Sequence, residues 1–210
     1  MRLRTMRLVV VVGLSALVLQ IAATAQARPA AAKTPGPPVP YVILLETNPD
    51  GSCDPAAAEP KPAQLGNNAS WVNQYGADVT VTERNGFWSV PVPKGATRDL
   101  EMTDAGTFLE DCGAGPETLA VAVKARRFPL GASFRVRWAL PGGLTGLRYE
   151  VQDKTKGGAV TTWFANTSAR SAVFTGAAGE TYSFRALTIL DPSHQSGFSP
   201  WRRVEVPSAS

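Results

Sequence analysis

From Tyr41 onward no stretch holds apolar residues at a helical period for three turns, and that feature alone removes most fold classes. In place of helices stand short runs, YVILLE, ASWVN, ADVTVTE, GFWSV, TRDLEMT, GTFLED and TLAVAVKA, cut by Gly, Pro and Asn. Leu119, Val121 and Val123 alternate with Ala120, Ala122 and Lys124, the two-residue period of a strand. Further on, Phe134, Val136 and Trp138 alternate with Arg135 and Arg137, and Leu147, Tyr149 and Val151 with Arg148, Glu150 and Gln152. One apolar and one charged face suits a sheet covered on a single side. The expected fold class is all-β, built as two tandem antiparallel β-sandwiches.

Charge, Pro and Gly coincide in ARRFPLGA, residues 125–132, which places the domain boundary there. The two domains are then 41–125 and 128–208, each of about 80 residues, enough for one core with little margin. Residues 28–40, RPAAAKTPGPPVP, have almost nothing to bury and are expected to be an extended linker. Residues 1–27 combine Arg2, Arg4 and Arg7, an apolar run from Leu8 and a small-x-small site at Ala25-Gln26-Ala27, the pattern of a cleaved signal peptide. The run is short for a membrane span and contains Gln20, so no membrane span is expected after cleavage.

Removing that segment takes three arginines and no acid from a chain of formal charge +4, which leaves +1. A nearly neutral mature chain argues against nucleic acid as a partner, which calls for a strong basic field. The Arg-over-Lys bias and the abundance of Ala, Gly and Pro suggest a GC-rich bacterial source. There are two cysteines, Cys53 and Cys112. In an exported chain two cysteines are expected to form one disulfide. A loop of that length contributes about 4 kcal/mol in the chain-entropy model. The rival reading is a free, reactive Cys112, which its neighbours Glu110 and Asp111 disfavour as a thiolate.

SFRVRWALP, LRYEVQ, GETYSFRALTI and GFSPWRRVEV occur in order along 128–207. Together they resemble a fibronectin type III domain. The resemblance implies a sandwich with Trp138 and Tyr149 in its core, Tyr182 as the corner tyrosine and Trp201 in a Ser-Pro-Trp last strand. It implies an adhesive, spacer or binding role and no catalytic residues.

The segment 41–125 resembles a cupredoxin through ASWVNQYGADVTVT, with Trp71 in its core, and through GFWSVPVPKGATRDLEMTDAGTFLEDC, which ends at a cysteine. In that family a thiolate, two imidazoles and a weak axial ligand hold copper. Cys112 matches the thiolate, but Val79 and Gly115 stand at the histidine positions, and Glu117 or Thr118 at the axial one. With a single histidine in the whole chain, His194, the copper site does not carry over and no cofactor or metal is expected. A Ser-His-Asp triad would have to be built on His194 as well.

The remaining candidates are surface groups. Glu110, Asp111 and Glu117, with Asp50 and Asp54, are read as a solvated acidic end, with a weak hard-cation site as the alternative. Trp88 and Trp163 lie next to turns and are candidate sugar contacts. Arg148 and Arg185, with Arg202 or Arg203, form an outward stripe that could meet anionic wall polymers or serve as edge-protecting charge. The expected protein is a secreted or envelope-associated, non-enzymatic, monomeric binding, adhesion or spacer protein. Its partner would be a cell-wall polymer, a polysaccharide or another extracellular protein. Two alternatives stand beside it: a carbohydrate-recognition accessory to secreted hydrolases, and, less favoured, a metal-binding or redox protein.

Overall fold

A computed structural model describes residues 40–57, 62–113, 116–127 and 132–208, so the segment read as a signal peptide, 1–27, and all but the last residue of the expected linker, 28–40, lie outside the described residues. The chain begins with β1 (Tyr41–Thr47), which buries Tyr41, Ile43 and Leu45 on one face. It continues through β2 (Cys53–Ala57), β3 (Ala63–Gln64), β4 (Asn68–Asn73), β5 (Val79–Glu83), β6 (Ser89–Val92), β7 (Thr97–Glu101), β8 (Gly106–Asp111) and β9 (Pro116–Ala122). One sheet has the order β2-β1-β4-β7 and the other β3-β9-β8-β5-β6. Their facing sides supply Ile43, Leu45 and Trp71 from the first and Val81, Phe108, Leu119 and Val121 from the second, all buried.

These sheets are mixed, where uniformly antiparallel pairing was expected. β1 runs parallel to β4 and β3 parallel to β9. Chain order supplies the cause. β2 folds back antiparallel on β1 and takes one of its edges, and the next strand, β3, lies in the opposite sheet. When the chain returns as β4 it takes the other edge of β1 in the same direction, the geometry of a crossover rather than a hairpin.

The second sandwich consists of β10 (Lys124–Arg127), β11 (Ser133–Arg137), β12 (Arg148–Thr155), β13 (Thr161–Thr167), β14 (Ser171–Thr175), β15 (Thr181–Asp191), β16 (His194–Gln195) and β17 (Arg202–Glu205). A sheet β10-β11-β14 faces a sheet β13-β12-β15-β16, to which β17 is added along β15. β10 pairs with β11 from Lys124↔Arg137 to Arg127↔Phe134, so residues 124 and 125 open this sandwich rather than close the first. Lys124 and Arg126 stand on the solvent side of a short edge strand, while Ala125 packs on the core.

The core of this sandwich is aromatic. Phe134, Trp138, Tyr149 and Phe184 are fully buried, and Trp138 donates Nε1–H to Ala169 O at 2.6 Å. Tyr182 is buried, and its hydroxyl accepts the Ala177 N–H at 2.9 Å, a corner contact that ties the start of β15 to the chain just before it. No helix long and apolar enough to cross a membrane occurs among the described residues.

Candidate functional site

Between β7 and β8 the chain runs through Met102–Ala105 and meets the second sandwich along a hydrogen-bonded seam. Leu140 N–H donates to Thr103 O at 2.7 Å, and Ala105 N–H to Trp138 O at 2.9 Å. Thr107 and Gly197 exchange both backbone bonds, at 2.9 and 2.7 Å. Side chains add to this: Thr188 Oγ1 donates to Ala105 O at 2.8 Å and Thr107 Oγ1 to Phe198 O at 2.7 Å. Tyr149, read from sequence as a core residue, is buried, but its hydroxyl reaches across the seam and donates to Asp104 Oδ1 at 2.7 Å. Burial first, and then Asp104, push the Tyr149 phenol above its usual range.

A cleft of about 440 Å³ opens beside this seam. Phe87, Trp88, Leu100 and Phe108 of the first sandwich form its apolar wall, and Gly142, Gly143 and Leu144 of the second close the opposite side. Its polar groups are Ser89, Glu101, Thr103 and Asp104. Thr103 Oγ1 donates to Asp104 Oδ2 at 2.7 Å, so Asp104 is held from both sides by Thr103 and Tyr149. Gly143 is required by this approach: a Cβ there would lie 2.7 Å from Thr103 Oγ1 and 2.8 Å from Asp104 Oδ2.

Of the two candidate sugar contacts, Trp88 lines the cleft, with its ring edge-on to Phe108 at 4.7 Å between centroids and its Nε1 buried without an acceptor. Trp163 is partly buried and packs against the aromatic core instead. Its ring contacts Phe164, Phe174, Phe184 and Trp138 at centroid distances of 4.7 to 6.0 Å, so the expected surface platform is part of the aromatic core. The turn-adjacent position suggested exposure, but the residue sits on the inner face of β13.

The arginine stripe is also reduced. Arg148 is exposed, with Nη1 3.3 Å from Asn166 O. Arg185 is committed: Nε–H and Nη2–H both donate to Gln152 Oε1, at 2.9 and 2.7 Å. Its guanidinium stacks between the rings of Phe198 and Trp201, at 4.3 and 4.4 Å, and Lys154 Nζ lies 4.3 Å from Trp201 as well. Arg203 pairs with Glu205 at 2.7 Å.

Cys53 and Cys112 are bonded, with Cα atoms 5.6 Å apart, so the disulfide joins the two sheets of the first sandwich at one end. Copper of the cupredoxin kind does not fit these residues. The cysteine at the thiolate position is consumed by the disulfide, Val79 occupies one imidazole position, and Gly115 lies outside the described residues. Glu117 and Thr118 lie on β9, paired with Glu110 and Leu109. His194 is exposed at the start of β16, with Nδ1 2.7 Å from Asp191 Oδ2.

Of the acidic end, Asp50 is exposed and Asp54, Asp111 and Glu117 are partly exposed, but Glu110 is not solvated. Glu110 and its cross-strand partner Glu83 both point into the core and are 0 % exposed. Glu110 Oε2 accepts the Trp71 Nε1–H at 3.0 Å, while Oε1 is buried without a partner. Glu83 accepts the backbone N–H groups of Asn85, at 2.7 Å, and of Phe87 and Leu109, at 3.4 Å. Burial above all, with Glu117 and Glu83 adding to it against the Trp71 bond, raises the Glu110 carboxyl from 4.5 to about 8. Asp111 faces Arg84 at 3.7 Å, and Asp50 caps its own turn through Ser52. No group of three or more metal-ligating side chains occurs among the described residues.

No protein-family model matches this chain, and no curated protein matches it. Among solved structures, a myokine structure aligns over 42% of this chain and 95% of its own, at 21% identity and a TM-score of 0.34. A cytokine receptor complex aligns over 70% and 94%, at 17% identity and a TM-score of 0.33. A two-domain fibronectin type III segment from chicken tenascin aligns over 70% and 95%, at 14% identity and a TM-score of 0.32. At such scores these alignments carry no argument, and the all-β architecture rests on the strand pairing itself.

Proposed function

We propose that this chain is an exported, non-enzymatic binding protein of the bacterial cell envelope or extracellular space, whose ligand enters the cleft at the seam. The observation that supports this most is the cleft itself: its size falls in the range of ligand sites, its wall is largely aromatic and aliphatic, and both sandwiches build it. The seam bonds hold the two walls in register, so the site is preformed. Export is supported by the residue pattern of 1–27 and by the disulfide, a bond suited to oxidising compartments. The non-enzymatic reading is supported by the cleft's composition. It is lined by no imidazole, thiol or amine, and of its two carboxylates, Glu101 and Asp104, the second is positioned by bonds from Tyr149 and Thr103.

The test uses the protein secreted with its own leader. Intact mass should show a chain beginning at Arg28. The secreted protein should co-sediment with purified envelope of its host, and Leu144→Trp, which fills the cleft from an exposed position, should remain in the supernatant. A chain that keeps residues 1–27, or a Leu144→Trp variant that sediments like its parent, would overturn the reading. Binding of wall polymer through the arginine stripe is less well supported, because Arg185 and Arg203 already have partners.

A further inference from the structure

Resting on the reading of the cleft as a ligand site, we infer that its ligand is a neutral saccharide. The argument starts from charge. The cleft carries two acids, Glu101 and Asp104, but each has a base near it outside the lining. Arg170, whose guanidinium donates to Leu140 O and Leu144 O, acts on Tyr149 against Asp104. Lys124 Nζ and Glu101 Oε1 converge on the same side of Gly66. Arg170 and Lys124 offset part of the acids' field, so a charged ligand gains less from entering than it would from two unopposed carboxylates.

The remaining chemistry is amphipathic. Trp88 and Leu144 offer apolar surface from opposite sandwiches, which suits the C–H face of a pyranose ring. Asp104 accepts one bond at each oxygen from Tyr149 and Thr103, and each oxygen keeps a second lone pair for a ligand hydroxyl. Ser89 supplies a hydroxyl that both donates and accepts. A separate observation points the same way. Trp88 Nε1 is a buried donor without an acceptor, and a ligand oxygen would satisfy it once the indole turns that edge toward the cleft. A hydrocarbon would leave that donor and the Asp104 lone pairs unmet.

The experiment titrates the mature chain with neutral trisaccharides of glucose, mannose and N-acetylglucosamine, and with uronate and glucosamine trisaccharides as charged counterparts. Tryptophan fluorescence and calorimetry report binding. At least one neutral sugar should bind saturably, and more tightly than its charged counterparts. Trp88→Phe, which keeps ring packing on Phe108 and removes the N–H, should weaken binding by about three- to tenfold. Leu144→Trp should abolish it. Preference for a charged sugar, or affinity unchanged in both variants, would overturn the inference. An uncharged naphthyl dye separates the two levels of the argument. If the dye binds the parent but not Leu144→Trp and no sugar binds, the cleft stands and the saccharide fails; if neither dye nor sugar binds, both fail.

Discussion

Replacing Glu110 by Gln tests the most unusual feature of the first sandwich, a buried carboxyl beneath Trp71. Folded, the group keeps its proton up to about pH 8; unfolded, it releases the proton near 4.5. Folding therefore takes up a proton between those values. The stability Glu110 contributes is complete below pH 4.5, falls as the pH rises toward 8, and stays level above that. At about 1.4 kcal/mol per unit, the interval amounts to at most about 5 kcal/mol. Glutamine keeps an oxygen for the Trp71 N–H, cannot ionise, and brings an amide that can donate to Glu83. Urea unfolding from pH 5 to 9 should show the parent's midpoint falling with pH, while the Glu110→Gln midpoint stays nearly level and exceeds the parent's at pH 8. The m-values should agree, since the surface exposed on unfolding is unchanged. A parent midpoint that is flat or rises over that range, or a variant with the parent's slope, would refute the reasoning. Asp50 and Asp191 act in the opposite sense and at lower pH: hydrogen bonds from Ser52 and His194 hold them below the usual range, so the stability they contribute is lost on acidification.

Tyr149→Phe removes the hydroxyl that crosses the seam to Asp104 and should cost about 1–3 kcal/mol. Hydrogen exchange at the amides of Ala105 and Leu140 should speed up more than at β12 if the effect is local to the seam. Gly143→Ala places a methyl against Thr103 and Asp104 and should cost about 1–3 kcal/mol by thermal unfolding, whereas alanine at Gly76, where a Cβ meets nothing within 4 Å, should be nearly neutral. The double substitution Cys53→Ala, Cys112→Ala should lower stability by about 4 kcal/mol, and the parent should take up thiol reagent after reduction but not before. Trp163→Ala should behave as a core deletion, losing about 3–5 kcal/mol without a specific effect on binding.

The strands were legible because most inward positions are apolar and most outward ones polar. That rule hid Glu83 and Glu110. Counting the period through Val81 and Phe108 puts both glutamates on the core side, against the charge that places Glu110 in solvent. β10 was hidden for a related reason: Arg126 and Arg127 read as a domain boundary when they belong to an edge strand. Parallel pairing of β1 with β4 leaves no local trace, since it depends on where β2 and β3 go. The seam was less legible still. Its bonds use backbone groups and small side chains such as Thr107 and Thr188, and Gly142-Gly143 is the sole local hint that another chain segment comes close.

The disulfide also governs what a protease can do to this protein. Cys53 and Cys112 enclose the turns at Gly86 and Gly95, where backbone bends with positive φ face open space. A cut at either turn divides the polypeptide without releasing a fragment, because both pieces hang from the same sulfur bridge. In a medium rich in secreted proteases, such a nicked molecule gains one water and keeps both pieces joined. The break becomes visible as two pieces on reduction.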